Sequence, residues 1–138
     1  MSQLPNPYGP CIDLERARLV AGAAIAEAAA NGWTIVVAVV DAGGDLVVLE
    51  RMDRAQAGSV DVAIGKARCA ARFKRPTREW EEALAGGRTA VLAIPGVVPV
   101  EGGLPLLREG AIAGAVGVSG ALAPQDTRCA EAAARVHG

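Results

Sequence analysis

The stretch "WTIVVAVVDAGGDLVVLER", residues 33–51, decides the fold class of this 138-residue chain. Its first half is apolar and β-branched at successive positions, which is typical of an interior strand covered on both faces. "DLVVLER" follows directly after "AGG", so the two halves predict a β-hairpin that turns at Gly43 and Gly44. Because hairpin strands pair antiparallel, we expect an α+β fold with an antiparallel sheet and not a doubly wound one.

Helical patterns flank this hairpin. Asp13 is suited to cap a helix that runs to about Asn31, with Ala-rich spacing on one face. Ser59 can cap a second helix that ends at Phe73, and a third helix is predicted over residues 77–85.

A second hairpin is predicted in "EGGLPLLREGAIAGAVGVSG", residues 101–120. Its strands are "LPLLR" and "AIAGAVGVS", and they turn at Glu109 and Gly110. A last helix begins at Pro124 and runs through Val136. The predicted order is α-β-β-α-α-β-β-α in a single domain over residues 1–138, with residues 1–12 as an irregular arm and an optional short strand near residues 97–100.

The glycines of residues 114–120 lie inside a predicted strand, so they do not form the G-x-G-x-x-G loop that cradles phosphates. Strand alternation predicts one uniformly small face, which holds Ala111, Ala113, Ala115, Gly117 and Ser119. Glycine within a strand is tolerated where another backbone or a ligand approaches closely. A helix, a second subunit or a ligand would each satisfy this requirement.

Composition excludes several functions. About half of the residues are apolar (51%) and the net charge is −1, and no basic stripe indicates nucleic-acid binding. No apolar run reaches the length of a membrane span and the first residues lack the pattern of a signal peptide, so we expect a cytoplasmic protein. Three widely spaced cysteines without a CxxC motif predict neither a disulfide framework nor a metal site.

Five ordered blocks of this sequence resemble the GlcG/HbpS family, which includes the C-terminal domain of PduO-type proteins. The blocks are "VVDAGGDLVVLERMDRA" (39–55), "SVDVAIGKARCAARFKRPT" (59–77), "GGLP" (102–105), "GAVGVSG" (114–120) and "QD" (125–126). The resemblance covers almost the whole chain.

The resemblance implies a profilin-like fold, in which helices pack on an antiparallel sheet, and assembly into homo-oligomers. It also implies heme or a related tetrapyrrole as a ligand, since some members bind heme. Two departures argue against the extracellular redox-sensor role of one branch: the chain lacks a secretion signal, and Cys69 stands where the common motif has threonine.

The helix over residues 59–73 has two apolar faces. Val60, Ile64, Ala67 and Ala71 form one face, and Val62, Lys66, Cys69 and Phe73 form the other. One helix cannot bury both faces against a single sheet in a two-layer domain, so we expect the second face to meet a neighbouring subunit.

We expect a ligand pocket at this second face, beside "ERMDRA" and "GGLP". Lys66 and Arg51 would attract an anion, and the glycines would leave backbone N–H groups free, so a carboxylate is the expected occupant. The predicted ligand-binding residues are Arg51, Met52, Lys66, Cys69, Phe73, Gly102, Gly103, Leu104 and Pro105. Alternative roles remain open: Lys66 in a structural salt bridge, Cys69 and Met52 as core residues, and His137 as part of a tail.

Three functional hypotheses follow. The first is an oligomeric small-ligand-binding protein whose ligand is heme or a related tetrapyrrole. The second is a cofactor-free lyase or isomerase that acts on a small carboxylate or aromatic acid, with Lys66 or Asp53 as the acid or base and Arg51 holding the anion. The third is an assembly subunit without a ligand.

Overall fold

The computed structural model describes residues 6–138. Its helices are α1 (Leu14–Ala30), α2 (Ser59–Phe73), α3 (Thr77–Ala85), a 3₁₀ helix (Thr89–Ala93) and α4 (Ala123–His137), and its strands are β1 (Val36–Asp41), β2 (Leu46–Arg51), β3 (Gly103–Arg108) and β4 (Ala111–Ser119). The predicted order of helices and strands is confirmed, with the 3₁₀ helix added. Residues 97–100 form no strand. The predicted N-terminal arm is irregular over residues 6–12 apart from a bridge between Tyr8 and Ile112, and residues 1–5 lie outside the described residues.

The four strands form one antiparallel sheet in the order β2-β1-β4-β3. Both predicted hairpins are present, and β1 and β4 pair with each other at the centre of the sheet. Every residue of Val36–Val40 is fully buried, as expected for a strand covered on both faces. The described chain therefore forms one α+β domain, and none of its described helices has the length and apolar character needed to cross a bilayer.

Helices cover both faces of the sheet. On one face, α1 and α4 pack through small residues, and Ala17, Ala21, Ala24 and Ala28 of α1 are fully buried. On the other face, α2 packs through Ala63, Ala67, Ala70 and Ala71. The expectation of two layers is therefore wrong, because the sheet lies between two helical layers.

The caps of the helices agree only in part with the sequence pattern. The Asp13 carboxylate accepts a hydrogen bond from the Arg16 N–H at 2.8 Å, so Asp13 caps α1 as predicted. Gly58 occupies the N-cap position of α2, and Ser59 is the first helical residue without a capping hydrogen bond. The Ser59 hydroxyl instead accepts a hydrogen bond from the Gln56 side chain at 3.2 Å.

The small face of β4 lies against α2. A Cβ at Gly117 would collide with the Ala63 carbonyl oxygen and the Ala67 N–H group, so this glycine permits a close approach of helix and strand. Ala113, which was expected on the same face, belongs to the core beneath α1 and α4. The register between β3 and β4 shifts at this point, and such a bulge interrupts strict alternation.

Candidate functional site

The side chain of Lys66 lies in the interior between α2, β4 and α4. Its residue is 1% exposed, and its ammonium donates hydrogen bonds to the Val118 carbonyl at 2.8 Å and to Oδ2 of Asp126 at 3.2 Å. Asp126 comes from the first turn of α4, and its Oδ1 accepts the Ala121 N–H at 3.0 Å. Of the roles left open for Lys66, the structure shows a buried salt bridge.

Burial opposes the charge on both members of this pair. It lowers the pKa of Lys66, and the negative charge of Asp126 acts in the opposite direction. Burial raises the pKa of Asp126, and the neighbouring ammonium of Lys66 lowers it.

Two further carboxylates lie near Lys66. Glu101 accepts a hydrogen bond from the Thr127 hydroxyl at 2.6 Å, and Glu81 accepts one from the backbone N–H of Glu101 at 3.3 Å. Both raise the pKa of Lys66 through their charge. The ammonium thus contacts one carboxylate and one carbonyl of its own chain, and two further carboxylates act on it through their charge.

The two glycines of "GGLP" pack directly on Lys66, as expected. A Cβ at Gly102, whose φ is +124°, would lie 2.9 Å from Nζ of Lys66. A Cβ at Gly103 would lie 2.5 Å from the Lys66 carbonyl oxygen. The sequence suggested that the Gly103 N–H is free for a ligand. It instead donates a hydrogen bond to the Thr77 hydroxyl at 2.9 Å. Leu104 and Pro105 continue into β3 and are half-buried.

The chain itself covers Cys69 fully and Phe73 in part. Cys69 is fully buried with Trp80 of α3 and Val91 of the 3₁₀ helix. The Phe73 ring packs edge-on against the Trp80 ring, with 5.4 Å between the two ring centres. The expectation that a neighbouring subunit covers this face is therefore wrong for Cys69, whereas Phe73 is only half-buried. The physical reason is that α3 and the 3₁₀ helix form an additional cover over α2. Burial also raises the pKa of the Cys69 thiol.

Arg51, Met52 and Asp53 lie elsewhere. Arg51 ends β2, which is the edge strand opposite to β3, so three strand spacings, or about 14 Å, separate these edges. Arg51 and Asp53 are exposed, and the Met52 sulfur accepts the Ile35 N–H at 3.3 Å. The predicted residues of β2 therefore lie at the sheet edge away from Gly103, Leu104 and Pro105 of β3.

A pocket of about 340 Å³ lies at another place, between the N-terminal arm, the β1–β2 turn and the end of α2. Its described lining consists of Tyr8, Ala42, Gly43 and Arg72. The Tyr8 hydroxyl donates hydrogen bonds to the carbonyl oxygens of Ala71 at 2.8 Å and Arg72 at 3.1 Å. We call this the Tyr8–Arg72 pocket.

Sequence reasoning missed the Tyr8–Arg72 pocket and the role of Asp126. Arg72 belongs to neither apolar face of α2, and Tyr8 lies in the arm that was predicted to be irregular. For Asp126 a signal existed, since a buried lysine needs an anion and "QD" was one of the five blocks of the resemblance. No comparable signal joined Tyr8 to Arg72.

The chain is similar to several known proteins along most of its length. A family model described as "Haem degrading protein HbpS-like" matches residues 12–135. Protein GlcG of Escherichia coli (strain K12) is 43% identical over 93 residues, which cover 67% of this chain and 69% of that protein.

Two solved structures share the fold. A double mutant of Streptomyces reticuli HbpS has 34% identity and a TM-score of 0.86, with 100% of this chain and 91% of that chain covered. The crystal structure of a PduOC:heme complex has 28% identity and a TM-score of 0.82, with 91% of this chain and 94% of that chain covered.

Proposed function

The chain belongs to the haem degrading protein HbpS-like family, and on this premise we propose that it is a small-ligand-binding protein whose ligand is heme or a related tetrapyrrole. The observation that carries the proposal is the likeness to the PduOC:heme complex, at a TM-score of 0.82 over 91% of this chain. Similarity of fold alone does not determine a ligand, so the residues of this chain must also suit one.

Among the described residues, most side chains of the types that ligate heme iron are buried or already hydrogen-bonded. Cys69 and Cys129 are fully buried. Burial raises the pKa of the Cys129 thiol to about 12, which disfavours the thiolate that binds metals. Both ring nitrogens of His137 are buried, and the Met52 sulfur already accepts an amide N–H.

Tyr8 differs from these residues. It is 46% exposed, and it lines the Tyr8–Arg72 pocket beside a guanidinium. Because the Tyr8 hydroxyl already donates to two carbonyl oxygens of α2, the Tyr8 ring and the Arg72 guanidinium, and not the phenol oxygen, are the groups of this pocket that suit a tetrapyrrole. Bound heme would supply an iron centre for ligand exchange or electron transfer.

The test is a titration of the purified protein with hemin, followed by absorbance in the Soret region. We expect a saturable spectral shift in the folded protein and none after unfolding in urea. Tyr8→Ala, which removes the ring from the pocket, should weaken hemin binding. A spectrum that remains that of free hemin plus protein at every ratio would contradict the proposal.

We also propose that the protein is a homo-oligomer. Several large apolar side chains are more than a third exposed, including Val62 of α2 at 39%, Leu92 at 68% and Leu122 at 69%. Val62 is the most exposed residue of the second face of α2, which also holds the half-buried Phe73. In size-exclusion chromatography with light scattering, we expect a multiple of 14.0 kDa, a smaller species for Val62→Glu, and no change for the neighbouring control Asp61→Ala. A wild-type mass of one chain would contradict oligomerisation.

The geometry favours binding over catalysis by Lys66. Its ammonium is bonded to Asp126 and Val118 inside the protein, whereas an acid or base must reach the proton that it transfers. The lyase or isomerase hypothesis and the cytoplasmic location stay predictions.

A further inference from the structure

Two arginines of α2 are fixed against the β1–β2 turn. Arg68 and Arg72 lie one helical turn apart, and their Nε atoms donate hydrogen bonds to the carbonyl oxygens of Gly44 and Gly43, each at 3.0 Å. A guanidinium has five N–H donors, so these bonds leave the terminal nitrogens for other partners. The two guanidinium groups are therefore fixed in position through Nε, and their terminal N–H groups remain available as donors.

The β1–β2 turn is shaped around Arg72. Gly44 has a φ of +92°, and a Cβ at this position would lie 2.6 Å from Nε of Arg72. Any side chain here would need both an unfavourable backbone conformation and a displaced guanidinium. The double glycine thus allows the contact between the turn and the arginine.

Positive charge at this place lacks a matching carboxylate. None of the ion pairs among residues 6–138 involves Arg68, Arg72 or Lys74, and the Nζ of Lys74 lies 4.7 Å from the centre of the Tyr8 ring. The nearby Asp41 uses Oδ1 to accept the N–H groups of Gly43 and Asp45. An anion would therefore find cationic donors here.

The pocket beside these cations is mainly apolar. Ala42 and the Tyr8 ring belong to its lining, and the hydrogen bonds of the Tyr8 hydroxyl fix the ring against the end of α2. A volume of about 340 Å³ is at the small end of the range for small-molecule pockets. The planar guanidinium matches the two oxygens of a carboxylate, while the apolar lining supplies few donors for the additional oxygens of a phosphate.

We propose that the Tyr8–Arg72 pocket binds the carboxylate of an apolar or aromatic acid. Arg72 donates to the carboxylate, Arg68 adds a second positive charge one helical turn away, and the Tyr8 ring covers the body of the acid. The carboxylate could come from two sources. One is a propionate of a tetrapyrrole, and for this source the inference rests on the proposed function. The other source is a free small aromatic acid.

The test uses benzoate as the probe and nuclear magnetic resonance of the ¹⁵N-labelled protein. Benzoate should cause saturable shifts in the Nε–H signals of Arg68 and Arg72, while that of Arg78, which bonds Glu82 on the surface, should not move. Benzamide, which lacks the charge, should cause no such shift. Arg72→Gln should weaken benzoate binding at least tenfold, and Arg78→Gln should leave it unchanged.

A second variant covers the case in which Arg72→Gln disturbs folding. Ala42→Leu leaves both arginines in place but fills the pocket, so it should also weaken benzoate at least tenfold. Protoporphyrin IX and its dimethyl ester distinguish the two sources. If the pocket takes a propionate, the free acid displaces benzoate and the ester does not; if it takes a free small acid, neither displaces benzoate.

Equal benzoate affinity in the wild type and in folded Ala42→Leu would overturn the inference, as would the absence of any arginine shift with both benzoate and protoporphyrin IX. If hemin binding persists under these results, the proposed function stands without this pocket. If benzoate binds through Arg72 but hemin does not bind, the pocket stands and the tetrapyrrole ligand is wrong.

Discussion

Replacing Lys66 with methionine should destabilise the fold strongly. Methionine keeps a long apolar chain but removes the ammonium, so Asp126 is left with the Ala121 N–H as its remaining hydrogen bond. The side chains of Lys66 and Asp126 are 1% and 4% exposed, so water cannot replace the lost partner without rearrangement. Breaking a buried ion pair by removing one member costs about 3–5 kcal/mol, a large part of the roughly 5–15 kcal/mol that stabilises a typical domain.

Urea denaturation at pH 7 of four proteins measures this effect: wild type, Lys66→Met, Asp126→Asn and the double variant. The double variant removes the unpaired charge, so its free energy of unfolding should exceed the additive expectation by about 1–3 kcal/mol. The deficit of Lys66→Met should shrink at acidic pH, because burial raises the pKa of Asp126 and a protonated carboxyl no longer needs a cation. A loss below about 1 kcal/mol for Lys66→Met, which is the range of exposed ion pairs, would refute this reasoning.

Three further predictions concern the same core. Burial lowers the pKa of Lys66 below 10.5, so between the lowered pKa and 10.5 the unfolded chain binds more protons than the folded one. The free energy of unfolding of the wild type relative to Lys66→Met should therefore rise with pH in this window. If urea denaturation across pH 8–10 shows that this free energy falls, the pKa is raised instead. Gly117→Ala should destabilise the fold by about 1–3 kcal/mol, because its methyl group would collide with the Ala63 carbonyl and force α2 away from β4. An unchanged midpoint of thermal unfolding would mean that α2 does not pack on β4 as described. A disulfide reagent at pH 8 should modify one thiol in the folded protein and three in the unfolded one, because Cys11 is exposed while Cys69 and Cys129 are buried and burial raises the pKa of both buried thiols; rapid labelling of all three in the folded state would contradict their burial.

The sequence predicted the sheet well because its signals are local. β-branched runs interrupted by "AGG" and by Glu109–Gly110 predicted both hairpins, and Glu109 and Gly110 indeed have φ values of +50° and +78°, as a tight hairpin turn requires. The apolar character of residues 36–40 on both faces correctly placed β1 in the interior. The start of α2 was misplaced by one residue because Ser59 resembled a cap.

The candidate site was harder to predict because its contacts are distant in sequence. An amphipathic pattern shows that Cys69 is on an apolar face of α2 but not whether α3 or another subunit covers it. Lys66 and Asp126 are 60 residues apart, and Tyr8 and Arg72 are 64 apart, so only the tertiary fold brings them together. Arg51 was grouped with Lys66 because both are cationic, although Arg51 ends the edge strand β2 and Lys66 lies in α2.

Thermal unfolding of the wild-type protein at increasing hemin concentration tests the central claim most directly, that the folded chain binds a tetrapyrrole. A ligand that binds only the folded state stabilises it by about 2.7 kcal/mol when its free concentration is 100 times Kd. We predict that the melting temperature rises steadily with the logarithm of the free hemin concentration and that metal-free protoporphyrin IX also raises it. A melting temperature that stays constant, or falls, as hemin increases would contradict the account.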